Sequence, residues 1–159
     1  MGIDVIRKKV LIALLAAAVP SIATSEDAPG QMCVEIASFA SAVEPGTTHL
    51  VLLRGGWGGD TPNILMTHDC QDFGFEPGNK LCAYLVQNTS WEFGQYNARR
   101  AAECLDTPQG ERFVRQLAEY KWPAEVTGHL LGASDGARIT IRFETPKLSQ
   151  LTLSVSREP

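Results

Sequence analysis

ARITIRFETPKLSQLTLSVS, residues Ala137 to Ser156, is the stretch that decides the fold. In its first half Ala137, Ile139, Ile141 and Phe143 alternate with Arg138, Thr140, Arg142 and Glu144; in its second half Leu151, Leu153 and Val155 keep the same period. Successive side chains of a strand point to opposite faces, so this period puts an apolar and a polar face on each strand. Thr145-Pro146 through Gln150 is the turn between them. Asp135-Gly136 is a hairpin signal ahead of the first strand, and EVTGHLLG (Glu125–Gly132) supplies the strand before it. Val126 to Ser156 therefore reads as a three-stranded antiparallel meander with one apolar and one wet face.

Such a sheet needs cover on its apolar face, and the residues upstream offer helices. Thr107-Pro108 opens a segment with Phe113, Val114, Leu117 and Tyr120 on one face, ended by Pro123. Before it, SWEFGQYNARRAAECL (Ser90–Leu105) lines up Phe93, Asn97, Arg100, Ala101, Cys104 and Leu105. Thr89 is placed to cap that helix, with Glu92 completing a capping box. Gly94 in the helix interior costs about 1 kcal/mol against alanine, so a close neighbour is expected there. Arg99 and Glu103 form a solvated i,i+4 pair. GNKLCAYLVQ (Gly78–Gln87) gives a third helix with Leu81, Cys82, Leu85 and Val86 inward, broken at Asn88. MCVEIASFASAV (Met32–Val43) gives a fourth, with Cys33, Ile36, Ala37, Ala40 and Val43 at helical spacing and Pro45-Gly46 as its stop.

Between the first two helices lies a long hairpin. THLVLLRG (Thr48–Gly55) reads as a strand buried on both faces, because Leu50 to Leu53 is apolar without a break. NILMTH (Asn63–His68) reads as its partner, and GGWGG (Gly55–Gly59) as an irregular loop between them. The fold class is α+β: an antiparallel sheet, made of the C-terminal meander and an N-terminal hairpin, covered by about four helices.

The first residues stand outside this plan. Arg7-Lys8-Lys9, the short apolar run VLIALLAAAV (Val10–Val19), Pro20, and the small residues Ser21 and Ala23 describe a signal peptide cleaved after Ala23, with Ser25 the alternative. The run is shorter than the ~20 residues that span a bilayer. Residues 24–31 form a polar lead-in, and residues 32–159 one domain in the periplasm or cell exterior. Cleavage removes three basic side chains and one acid and takes the formal charge from −4 to −6. An acidic chain lacks the clustered Lys and Arg that nucleic acid or an anionic membrane requires.

Four cysteines, Cys33, Cys70, Cys82 and Cys104, in an oxidising compartment read as two disulfides. Cys70 and Cys82 flank a short loop containing Pro77-Gly78, and their union leaves Cys33 and Cys104 to meet in the core. Cys82–Cys104 is the competing pairing. No C-x2-C spacing supports zinc, and neither a metal nor a cofactor is expected.

The stretch HDC, His68-Asp69-Cys70, holds the ingredients of a thiol site. His68 and Cys70 would share one face of a strand and Asp69 the other, so His68 and Asp69 are candidate catalytic groups. The disulfide expectation argues against a thiolate, and Asp69 and Asp72 suit turn hydrogen bonds. A metal site would need His49, His68 and His129 to converge. Phosphate-loop and nucleophile-elbow patterns are absent. Phe73 and Phe75, in DFGFEPG, are expected to pack around the disulfide. NTS (Asn88–Ser90) matches a glycosylation sequon, for which the capping role is an equal explanation. RGGWGGD (Arg54–Asp60) sets Trp57 among four glycines and marks Arg54, Trp57 and Asp60 as candidate partner-binding residues. The first expectation is a non-catalytic protein-binding module of inhibitor or immunity type. The alternatives are a small hydrolase or metalloenzyme using His68 with His49 and His129, and a structural envelope protein without a discrete site.

Overall fold

The computed structural model describes residues 29–59, 63–132 and 136–159. The expected signal segment, Asp60 and Asp135 lie outside the described residues. The elements, in chain order, are α1 (Pro29–Ser41), β1 (Thr48–Trp57), β2 (Met66–Gln71), α2 (Glu76–Asn88), α3 (Gly94–Ala102), β3 (Leu105–Asp106), α4 (Gly110–Ala118), β4 (Ala124–Leu130), β5 (Ala137–Glu144) and β6 (Ser149–Arg157). Helix α1 begins at Pro29, so the end of the polar lead-in is already helical.

All strands pair antiparallel in one sheet of order β2-β1-β6-β5-β4-β3. The meander forms as its alternation dictates, with β5 spanning the residues that alternate most strictly. Its apolar side chains Ile139, Ile141, Phe143, Leu151, Leu153 and Val155 are almost wholly buried. They meet Met32, Ile36 and Phe39 of α1, Val43 just beyond it, Leu81 and Leu85 of α2, and Phe113 and Leu117 of α4 in one core. The fold is thus α+β: the described residues form a six-stranded antiparallel sheet with four helices over its apolar face, stapled by two disulfides. Cys33 joins Cys104 with Cα atoms 5.2 Å apart, and Cys70 joins Cys82 at 5.3 Å.

Several local expectations change. β1 is buried on one face only: Val51, Leu53 and Gly55 point into the core, whereas Leu50 and Leu52 lie half-exposed on the outer face. The strand also runs on through Gly55, Gly56 and Trp57, and β2 starts three residues later than expected, at Met66. Thr89 does not open α3. It follows α2 as its C-terminal cap, with its hydroxyl donating to the Leu85 carbonyl, while Ser90 Oγ accepts from the amides of Glu92 and Phe93. α3 therefore begins at Gly94, which is packed as expected: a Cβ there would stand 2.6 Å from Ser149 Oγ and 2.9 Å from Phe143 Cε2. Tyr120 turns outward, past the end of α4, with φ of 55°. Val86 lies at the surface of α2.

Candidate functional site

The HDC stretch sits in β2, opposite β1. Its Cys70 lies across from Leu53 and His68 from Gly55, both on the core face, while Asp69 lies across from Arg54 on the outer face. Cys70 sulfur is bonded to Cys82, and the described residues hold no free cysteine, so no thiolate is present. Asp69 is held by the Arg54 guanidinium, with contacts of 2.6 Å and 3.1 Å, rather than by a turn. The turn role belongs to Asp72, whose carboxylate accepts from the Gly74 amide at 2.9 Å. His68 and Asp69 are therefore separated by the plane of the sheet. The His68 Nε2 lies 3.4 Å from Thr89 Oγ1, and its ring borders a small cavity of about 10 Å³ with Ser90, Asn97 and Ser149.

The three histidines do not converge. His49 stacks on the ring of Phe75, centroids 3.7 Å apart, near the start of β1. His68 lies opposite Gly55, six residues further along that strand, about 20 Å away at the rise of a strand. His129 is on the outer face of β4, its Nδ1 2.9 Å from the Ala137 carbonyl oxygen. Among the described residues no group of three His, Cys, Asp or Glu side chains could hold a metal ion. Of the two phenylalanines expected around the Cys70–Cys82 bond, Phe75 packs inward against Phe39 and His49, whereas Phe73 is exposed with φ of 54°.

The hairpin tip is the most unusual surface. Trp57 is 69% exposed, and its ring meets Trp91 edge-on with centroids 4.8 Å apart. The glycines explain that contact. A Cβ on Gly55 would lie 2.5 Å from the Trp91 carbonyl oxygen, so only glycine lets the segment before α3 cross β1 here. Gly58 has φ of 79°, a conformation open to glycine, and turns the chain just past Trp57 while its amide donates to the Leu65 carbonyl at 2.8 Å. Thr67 Oγ1 closes the turn on the Gly58 carbonyl at 2.7 Å. Beside Trp57 stand Met66, its partner across the ladder, then Leu65, 81% exposed, and Ile64. Phe93, two residues beyond Trp91, is 55% exposed. An open cleft of about 280 Å³, lined by Arg54, Ile64, Met66, Thr67, His68, Asp69 and Leu148, runs along the same hairpin.

Of the three residues expected to meet a partner, Trp57 is thus at the apolar tip. Arg54 lines the adjacent cleft in its pair with Asp69, and Asp60 lies outside the described residues. The sequence pattern did not point to Ile64, Leu65, Met66, Trp91 or Phe93 as site residues. The available signal was WEFG, two aromatic residues around an acid just before a glycine, which reads equally as the first turn of a helix. Comparison of the chain with protein-family models, curated proteins and solved structures found no match.

Proposed function

We propose that this chain is an exported, disulfide-bonded domain that acts by binding another protein, in the manner of an inhibitor or immunity protein, and that the tip of the β1–β2 hairpin is its contact surface. The observation that carries the reading is the group Trp57, Ile64, Leu65, Met66 and Phe93, large apolar side chains left exposed at and beside one hairpin turn. Single exposed apolar residues need no explanation, but a clustered apolar surface is characteristic of interaction sites. Tryptophan at the centre of such a patch is the side chain whose truncation most often costs an interface its affinity. Trp57 is also held in place by Trp91 before any partner arrives, which lowers the ordering cost of binding. Two disulfides in a small α+β domain are compatible with export. The separation of His49, His68 and His129 does not support the metalloenzyme alternative, and no metal-binding group of three occurs among the described residues.

The test is recovery of a stoichiometric partner from the native envelope with tagged wild-type protein, in parallel with Trp57→Ala. The variant should keep the wild-type circular dichroism and thermal midpoint, because the indole is mostly in water. Its affinity for the recovered partner should fall by about 30-fold or more, the scale of an interface hot spot. Equal recovery by both proteins would remove the tip from the interface, and no partner with either would favour a structural envelope role.

A further inference from the structure

Among the described residues β2 ends the sheet, with β1 on one side and no strand on the other. Register settles which of its backbone groups look outward. The Gly58 amide bonds the Leu65 carbonyl, in line with the ladder that sets Trp57 opposite Met66 and Gly56 opposite Thr67. Bonded and non-bonded pairs alternate along an antiparallel ladder. The bonded pairs are therefore Gly56–Thr67, Arg54–Asp69 and Leu52–Gln71, and the N–H and C=O groups of Met66, His68 and Cys70 face away from β1. The other side of β1 agrees: Arg157 N donates to the Thr47 carbonyl, which directs the odd-numbered residues of β1 to β6 and the even-numbered ones to β2. Among the described residues no backbone group bonds the outward side of β2. The strand carries neither lysine nor proline, the common guards of an open edge. Its one charged side chain, Asp69, is already held by Arg54.

We propose that this edge pairs with β2 of a second copy of the chain, about a two-fold axis at His68, joining two six-stranded sheets into one. The strand's own chemistry selects that register. With His68 opposite its twin, Met66 faces Cys70 and Thr67 faces Asp69, so the outward groups all pair and no like charges meet. Moving the axis to Asp69 would set the two carboxylates opposite each other, which is repulsive. Moving it to Thr67 leaves only Met66 and His68 paired among the outward groups. The helix beneath the edge suits the same partner. Leu81, Cys82 and Leu85 face the core and Cys82 is bonded to β2, which turns the next helical face, Asn79, Ala83 and Val86, toward the edge. That face is uncharged, and its Ala83 and Val86 are exposed, so two such faces flank the axis without repulsion. This inference does not rest on the hairpin tip as a partner site, although Met66 borders both surfaces.

The test is sedimentation velocity of the purified, disulfide-bonded protein from micromolar to near-millimolar concentration. Wild type should pass from monomer to dimer as concentration rises. Thr67→Asp sets two aspartate pairs across the axis and should weaken the dimer about 2- to 30-fold. Thr67→Lys sets two lysine–aspartate pairs there and should tighten it by a similar factor. Both variants lose the same Thr67 hydroxyl bond to Gly58, so the difference between them reports register and not the hairpin. Met66→Pro removes an outward N–H at the first residue of the strand and should abolish dimers with the circular dichroism unchanged. If that variant unfolds, the Thr67 pair still decides. A monomer at every concentration overturns the proposal, as do Thr67 variants that shift the equilibrium the same way or leave it unchanged.

Discussion

Gly55 and Gly94 lack side chains because other atoms take the space: the Trp91 backbone at one, Ser149 and Phe143 at the other. Together they let the segment between α2 and α3 lie directly on β1 and β6, and His68 is trapped at that seam. Its ring sits against Thr89 and beside a cavity of about 10 Å³, room for about one water. Partial burial lowers the His68 pKa below its ordinary 6.5, and the Asp69 charge pulls it back in part. The direction fixes a pH dependence. A histidine harder to protonate in the folded chain than in the unfolded one lets the unfolded chain take up the proton first. Its contribution to stability is then full above the unfolded value, falls as pH drops from there toward the lowered folded value, and is level below that. The urea midpoint of wild type should decline as pH falls through and below the ordinary histidine value of 6.5, and that of His68→Gln should decline less. Parallel slopes for the two proteins would mean that His68 titrates as it does in water.

At the scale of elements, the junction of α2 and α3 shows how a helix end is satisfied by residues that sequence pattern assigns elsewhere. The last carbonyls of α2 are taken up by Asn88 Nδ2 on Tyr84, Thr89 Oγ1 on Leu85, and the buried Arg100 guanidinium on Asn88 at 3.2 Å. Arg100 also lies 5.9 Å from the Tyr96 ring centroid. Asn97, buried beside it, spans the same turn by accepting from the Ser90 amide and donating to the Ser90 carbonyl. Arg100→Ala should destabilise the fold by about 1.5–3 kcal/mol, the scale of a buried bond to a charged group. Arg100→Met keeps most of the stem's packing and should lose less; equal losses in urea denaturation would assign the effect to the hydrogen bond alone. The elements that were legible in the sequence share a cause. β5 and β6 alternate strictly because each has one buried and one wet face, and that burial is written residue by residue. The end of β1 was not legible, because Gly55 and Gly56 belong to a strand through ladder partners outside their own stretch, His68 and Ser149 for Gly55 and Thr67 for Gly56. Thr89 and Ser90 are both competent caps, and which end each serves depends on the crossing of α2 and α3. The tip surface was half legible: Trp57 stands out among glycines, but the exposure of Leu65 and Met66 follows from a strand that starts later than its apolar residues suggest.

At the scale of the molecule, the two disulfides do different work. Cys33–Cys104 closes a separation of 71 residues and ties α1, the first element described, to the chain just after α3. Cys70–Cys82 closes only 12 residues and fastens the edge strand β2 to α2. By loop entropy the long bridge contributes about 4 kcal/mol and the short one about 3. Either is a large fraction of the ~5–15 kcal/mol by which a domain is ordinarily stable. Burial does not offset this difference, because each bridge joins one buried cysteine, Cys104 or Cys82, to one partly buried one, Cys33 or Cys70. Cys33→Ala/Cys104→Ala should therefore melt several degrees below Cys70→Ala/Cys82→Ala, at about 2–6 °C for each kcal/mol in a domain of this size. The short-bridge variant should differ in kind. Without its covalent anchor to α2, β2 has a neighbouring strand on one side alone, so its amides should exchange with solvent faster while those of β5 and β6, paired on both sides, hold their protection. Hydrogen exchange read strand by strand, together with the two melting curves, checks both statements. A short-bridge variant that melts first would mean that the hairpin edge, and not the helical layer, limits the stability of the whole fold.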